Sequence, residues 1–262
     1  MKFTRLITCG DSFTEGMTDE IVDGYYRGWA DRVADVMATQ VPNFTYANLA
    51  IRGKLVHQVV SEQVPRALEF VTGADTLFAF HAGANDVLRP RYRAELVLPL
   101  YTQTVRKIAA SGATVLLFTV LERTDRTGKT ADLWESRFRE FNANVRAVAK
   151  EVGAIVAEAN EENLLRDRRF LSEDRLHLNA IGHDRVAQSI LEKTGLPFNP
   201  SWREPLPPAR AQSALARFTS NLKWVSAFLL PWMLRRLLRI SSGDGRSAKY
   251  GAPISWTIPE TN

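Results

Sequence analysis

The sequence predicts an α/β protein: a mainly parallel β-sheet with helices on both faces, followed by a helical C-terminal extension. Two features predict the sheet. Short runs rich in β-branched and aromatic residues, bounded by Gly, Asn or Asp, recur between residues 3 and 159, and longer segments with helical apolar spacing separate them. A change of character after residue 196 predicts the extension.

The runs are FTRLITC (3–9), FTYANLA (44–50), DTLFAFHAG (75–83), ATVLLFTV (113–120) and GAIVAEA (153–159). Most are apolar at successive positions, as strands buried on both faces are. The first helix is read over 25–40, where Trp29, Val33 and Val36 fall at i, i+4 and i+7. Others follow over 54–70, 94–111, 132–152 and 180–194. Strand and helix alternate five times, which argues for crossover connections between parallel strands.

Five prolines, Pro197, Pro200, Pro205, Pro207 and Pro208, mark a linker over 197–208 between a body (1–196) and a basic extension (209–262). In the extension Leu215, Phe218, Leu222, Val225 and Leu229 repeat at steps of three and four, an amphipathic helical face, and Pro231 is expected to end or kink that helix. The apolar stretch 224–234 is too short to span a bilayer. The helix is expected to pack back on the body or over the site as a lid. Trp224, Trp232, Arg235, Arg236 and Arg239 also suit peripheral contact with an anionic membrane, and an oligomer contact is a third reading.

The totals agree with one core plus an appendage: 262 residues, 45% hydrophobic and 24% charged. The net charge of +5 belongs to the tail. From Pro200 onward there are nine Lys or Arg against three Asp or Glu, leaving 25 against 26 in the first 199 residues. A slightly acidic body without an aromatic-basic RNA motif argues against nucleic acid as a partner. One cysteine, Cys9, excludes an internal disulfide and a CxxC metal site, and its apolar neighbours make it a packing residue. The N-terminal residues lack the pattern of a secretory signal, so a cytoplasmic protein is expected.

In open parallel sheets, ligands gather at the carboxyl ends of the strands. There the sequence places Gly10-Asp11-Ser12 after the first run, Gly53 after the second, Asn85 after the third, LERTDRTGKT after the fourth, and Asp174 and His177 beyond the fifth. These are the parts of a serine esterase. Ser12 is the candidate nucleophile, His177 the general base and then acid, and Asp174 the group that holds the imidazole's tautomer. The backbone N–H groups of Ser12 and Gly53, with the Asn85 amide, are candidates for the oxyanion hole, and a glycine at 53 leaves its amide unscreened by a Cβ. Phe13, Val87 and Leu88, with residues after Val120, are candidates for the acyl pocket.

Competing motifs fail. RTGKT lacks the glycine of a phosphate loop, because position 123 is Arg. GDGRSA has neither strand nor helix around it. There is no GxSxG elbow and no HExxH, so neither the usual lipase fold nor a metal hydrolase is supported. His183 and His81 read as structural or packing residues, as does His57, while Asp11 and Asp86 read as ties between loops and backbone.

Taken together, TCGDSFTEG, NLAIRG with Asn48 and Gly53, GAND (83–86) and DRLHLNAIGH with Asp174 three residues before His177 resemble the blocks of the SGNH or GDSL hydrolases, all four in order across residues 3–194. That resemblance implies a flavodoxin-like α/β/α sandwich around a five-stranded sheet, a cofactor-free carboxylic ester hydrolase, small-molecule acyl esters as substrates, and the residue roles just described. Phe13 departs from the leucine usual in the namesake motif, which should alter packing rather than chemistry. Two finer readings are a carbohydrate O-deacetylase and a lysophospholipase. A rival outside the enzyme class is a membrane- or partner-binding protein that acts through its tail.

Overall fold

The computed structural model describes residues 2–122, 128–161, 165–209, 213–238 and 240–257. All five expected strands form: β1 (Arg5–Cys9), β4 (Thr45–Asn48), β5 (Thr76–Phe80), β6 (Thr114–Phe118) and β7 (Ile155–Ala157). Two short strands, β2 (Ile21–Val22) and β3 (Tyr25–Tyr26), pair as a hairpin apart from the main sheet. Asp23 and Gly24 both have positive φ at its turn, as a type I′ hairpin requires.

The main sheet has six strands in the order β7-β6-β5-β1-β4-β8, all parallel except the last. The sixth, β8 (Tyr250–Ser255), runs antiparallel to β4 at the sheet edge. It corrects the expectation of five strands and of a wholly helical tail: Tyr250, Ile254 and Trp256 bring aromatic and β-branched side chains to the edge, where Tyr250 and Trp256 pack edge-on against Tyr46.

Helices cover both faces. The first are α1 (Ser12–Glu15) and α2 (Gly28–Gln40). Next comes a run made of α3 (Val56–Gln58), a π-turn (Val59–Gln63) and α4 (Val64–Leu68). It is followed by α5 (Ala84–Val87), α6 (Ala94–Ala110), α7 (Lys129–Val152) and α8 (Ala180–Lys193). The strand period of two sorts the core. Ile7, Cys9, Phe78, Phe80, Val115 and Leu117 face the helices α3, α4, α6 and α7. Leu6, Leu77, Ala79, Leu116 and Phe118 face Trp29, Val33 and Met37 of α2 and Val186 and Ile190 of α8. The result is the expected α/β/α sandwich.

The 197–208 segment packs on the body: Trp202 is buried and Arg203 pairs with Glu192 at 2.8 Å. The tail then continues as α9 (Ala214–Trp224), a π-turn (Val225–Leu229) and α10 (Leu230–Leu237). Pro231 does not end this helix. It lies in the first turn of α10, directly after the wider π-turn, where a missing N–H costs little. Near the chain's end Lys249 is buried, its Nζ 2.8 Å from both carboxylate oxygens of Asp31. Burial pushes the Asp31 carboxyl up to about 6, against the pull of that ammonium.

Candidate active site

Strand order places the site. From β1 the chain moves to β4 on one side and then to β5 on the other, so the order reverses at β1 and opens a crevice beyond its carboxyl end. Gly10, Asp11 and Ser12 leave β1 at that point. Asp11 caps the turn, accepting from Phe13 N–H at 3.2 Å, and Ser12 begins α1. Gly10 sits against other backbone: a Cβ there would lie 2.5 Å from the His81 carbonyl oxygen. Buried Gln63 accepts from Gly10 N–H at 2.8 Å and donates to Gly10 C=O at 2.9 Å.

The structure joins the three residues expected to carry the chemistry. Ser12 Oγ lies 3.0 Å from His177 Nε2, and His177 Nδ1 lies 2.6 Å from Asp174 Oδ2. Asp174 and His177 share one tight loop. Asp174 Oδ1 accepts from the N–H of Leu176 at 2.9 Å, the N–H of His177 at 3.0 Å and the Ser172 hydroxyl at 2.7 Å. Burial pulls the Asp174 carboxyl up, but the hydrogen bonds and charge of His177, with the Ser172 hydroxyl, outweigh it and hold the group well below the usual carboxylate range. An ionised Asp174 keeps the proton on Nδ1 and leaves Nε2 to accept from Ser12.

Gly53 and Asn85 come from the loops after β4 and β5. Gly53 has φ +75°, a conformation that favours glycine. Neither its N–H nor that of Ser12 has a hydrogen-bond partner among the described residues. Asn85 is different. Its Nδ2 donates to Asp11 Oδ2 and to the Lys54 carbonyl, each at 3.1 Å, so both amide protons are engaged. Asp86 accepts from Val56 N–H at 2.9 Å, and burial pushes its carboxyl up to about 6 against that bond. Asn48 donates to Thr14 C=O at 3.0 Å and accepts from Ala50 N–H at 3.1 Å.

The pocket candidates fare unevenly. Val87 is fully buried in the core and cannot line an open pocket, a correction to its expected role. Phe13 packs its ring against Trp29, His81 and Phe118 at centroid distances of 5.7, 4.6 and 5.4 Å. Leu88 is half-buried. Of the stretch after Val120, residues 123–127 lie outside the described residues, including Arg126 and Thr127 of the RTGKT motif. A cleft of about 490 Å³ opens next to the Gly53 loop, lined by Glu15, Tyr25, Tyr26, Arg52 and Lys249 among others.

The remaining histidines and the cysteine divide by burial. His183 accepts from Trp29 N–H at 3.3 Å and donates to Met17 C=O at 3.2 Å, the structural role expected of it. His57 is exposed, so it does not pack. Burial pushes the Cys9 thiol well above its ordinary range, which leaves it an inert core residue.

Sequence reading missed several residues that shape the site. Gln63, Ser172 and the Glu15–Arg52 pair beside Gly53 carry no motif of their own. Trp224 donates from Nε1 to the Asp174 carbonyl at 2.8 Å. The Gln63, Glu15–Arg52 and Trp224 contacts are long-range, whereas Ser172 bonds Asp174 only two positions away without a motif that marks it.

Comparison with known proteins decides the family. The GDSL-like Lipase/Acylhydrolase family matches residues 8–185, more than half of the chain. The chain belongs to that family. As a member of the GDSL-like lipase/acylhydrolase family it is a carboxylic ester hydrolase. Solved structures share the fold at low identity. TesA is 18% identical over 72% of this chain and 97% of its own, with a TM-score of 0.59. Axe2, an acetylxylan esterase from Geobacillus stearothermophilus, is 17% identical over 81% of this chain and 100% of its own, with a TM-score of 0.58. LAE5, an alpha/beta hydrolase enzyme from the metagenome of Lake Arreo, Spain, is 18% identical over 73% and 95%, with a TM-score of 0.59. No protein of curated function matches the chain.

Proposed function

We propose that this GDSL-family hydrolase cleaves acyl esters through an acyl-Ser12 intermediate, and the unbroken hydrogen-bonded chain Ser12–His177–Asp174 is the observation that carries the reading. His177 Nε2 takes the Ser12 proton as Oγ attacks the ester carbonyl, then returns it to the departing alkoxide. Water repeats the sequence on the acyl-enzyme and releases the acid. Asp174 stabilises the imidazolium formed at each attack. The free N–H groups of Ser12 and Gly53 receive the developing oxyanion. Asn85 joins them when its bond to the Lys54 carbonyl gives way.

Two observations favour a small acyl group on a polar alcohol. Phe13 and Val87 are taken up by core packing, which leaves them no role in a long apolar channel. The cleft beside Gly53 presents Tyr25, Tyr26 and the Glu15–Arg52 pair, groups suited to hydroxyl-rich partners. Carbohydrate O-deacetylation therefore fits better than hydrolysis of lysophospholipids.

Ser12→Ala tests the mechanism: turnover of p-nitrophenyl acetate and butyrate should vanish while the far-UV spectrum and melting transition stay unchanged. Full activity in a folded Ser12→Ala protein overturns it. A chain-length series of p-nitrophenyl esters, run beside acetylated xylo-oligosaccharides, tests the substrate class, and a preference for long acyl chains overturns that part alone.

A further inference from the structure

The tail helices do not bury their apolar face. Leu215, Phe218 and Leu222 of α9 are 71%, 60% and 54% exposed, and Leu230, Met233 and Leu234 of α10 are exposed as well. Leaving so much large apolar surface in water is unfavourable, and a contiguous patch of this kind marks a docking surface. The run is half-buried only near its middle, at Trp224 and, in the π-turn, at Val225, Phe228 and Leu229, with Pro231 just beyond. The Leu215–Leu229 stripe, expected to cover the body, is exposed over its first half at Leu215, Phe218 and Leu222.

Charge selects the occupant. The stretch 213–240 contains Arg217, Lys223, Arg235, Arg236 and Arg239 and no Asp or Glu. A second copy of this chain docked face to face would set these cations against their equals, a repulsion that grows as the contact dries. An anionic lipid surface offers both complements, phosphate charge for the basic groups and hydrocarbon for the leucines and Phe218. No helix among the described residues is long and apolar enough to cross a membrane, so the fit is to a helix lying in the interface.

Attachment at both ends fixes what such docking would do. On the entry side, Trp202 is buried and Arg203 pairs with Glu192. On the exit side, Ser241 and Ser242 rest against Gly53, where a Cβ would lie 2.5 Å from Ser241 Oγ. Between these anchors, α9 is fastened to the Asp174 loop. Arg175 donates to Asn221 Oδ1 at 2.8 Å and stacks over the Trp224 ring at 5.2 Å, and the Trp224 indole holds the Asp174 carbonyl.

We infer that α9 and α10 form a membrane-docking arm that lies in the interface of an anionic bilayer and holds the Ser12–His177 crevice beside that surface. The test uses the full chain and sedimentation with lipid vesicles. Protein should pellet with phosphatidylglycerol-containing vesicles, at least about tenfold more weakly with pure phosphatidylcholine, and high salt should weaken the binding. Leu215→Asp/Phe218→Asp/Leu222→Asp changes only exposed positions. It should keep the wild-type melting transition and its turnover of soluble p-nitrophenyl acetate while losing vesicle binding. Wild-type protein that stays in solution with phosphatidylglycerol vesicles overturns the inference, as does a triple variant that still binds them. A stable wild-type dimer that the triple variant splits, with no vesicle binding, assigns the face to self-association and overturns it equally.

Discussion

Gln63 grips Gly10 by both its backbone N–H and its carbonyl, at 2.8 and 2.9 Å, two residues before the serine that begins α1. The side chain comes from the π-turn and reaches under the end of β1, out of water. Replacing it with leucine leaves the buried Gly10 N–H without a partner, while the Gly10 carbonyl keeps the Ile51 N–H at 3.2 Å. Gln63→Leu should therefore lower stability by roughly 1–3 kcal/mol, the cost of one orphaned buried group. It should also reduce kcat by loosening the Ser12 turn. Urea unfolding and steady-state kinetics check the two effects, and an unchanged unfolding midpoint would show that Gly10 has no need of this clamp.

Asp174 makes a second case. Its carboxylate accepts four hydrogen bonds, and only the one from His177 Nδ1 sets the tautomer. Asp174→Asn keeps the size but offers an amide to the imidazole, so the proton moves to the wrong nitrogen. A kcat loss on the order of 10⁴-fold is expected, with KM nearly unchanged. A loss below about tenfold in p-nitrophenyl acetate assays would leave His177 without an orienting partner in the mechanism.

For Asn85 the expected loss has a different signature. Because its amide already serves Asp11 and Lys54, removing it both deprives the oxyanion of a donor and frees the loop after β5. Asn85→Ala should cost roughly 10²–10³ in kcat. Asn85→Asp should be at least as poor, since it brings a carboxylate to the oxyanion and to Asp11. Rates within about threefold of wild type for either variant would assign the oxyanion to Ser12 and Gly53 alone.

His183 carries the pH prediction. Burial lowers its imidazole from 6.5 to about 4, partly offset by the charge of Asp19. A group whose folded value is depressed supplies stability that is whole above its unfolded value and is lost as pH falls through the folded one. The window is therefore from 6.5 down to about 4. Physically, a second ring proton would face the Trp29 N–H that His183 now accepts. Urea midpoints measured from about pH 7 to about pH 4 should fall steeply in the wild type. In His183→Asn the slope should be shallower and the stability near neutral pH lower.

Much of this fold was legible because its signals are local. Most of the five parallel strands lie in runs that are apolar at successive positions, as strands buried on both faces are. The candidate positions were legible for a related reason: Ser12, Gly53 and Asn85 follow the ends of β1, β4 and β5 within five residues, and His177 lies in the loop before α8. What escaped depends on partners far away in sequence. β8 reads as an unremarkable tail, and only pairing with β4 and packing on Tyr46 make it a strand. The amphipathic stripe of α9 was plain, but periodicity shows that a helix has an apolar face and is silent about what that face meets. Val87 has the right chemistry and position for a pocket, yet its burial is decided by α7 packing over it.

The edge strand β8 also governs how the chain can be divided. By pairing with β4 it covers a row of backbone N–H and C=O groups that would otherwise be open to edge-to-edge addition, the usual route to aggregation in sheets. Lys249, just before it, neutralises the buried Asp31. Shortening the protein near Pro200 would expose that edge and strand a carboxylate in the core at once. β8 is thus a protective cap on the sheet, and the packing around Asp31 and Tyr46 closes only once this strand has paired.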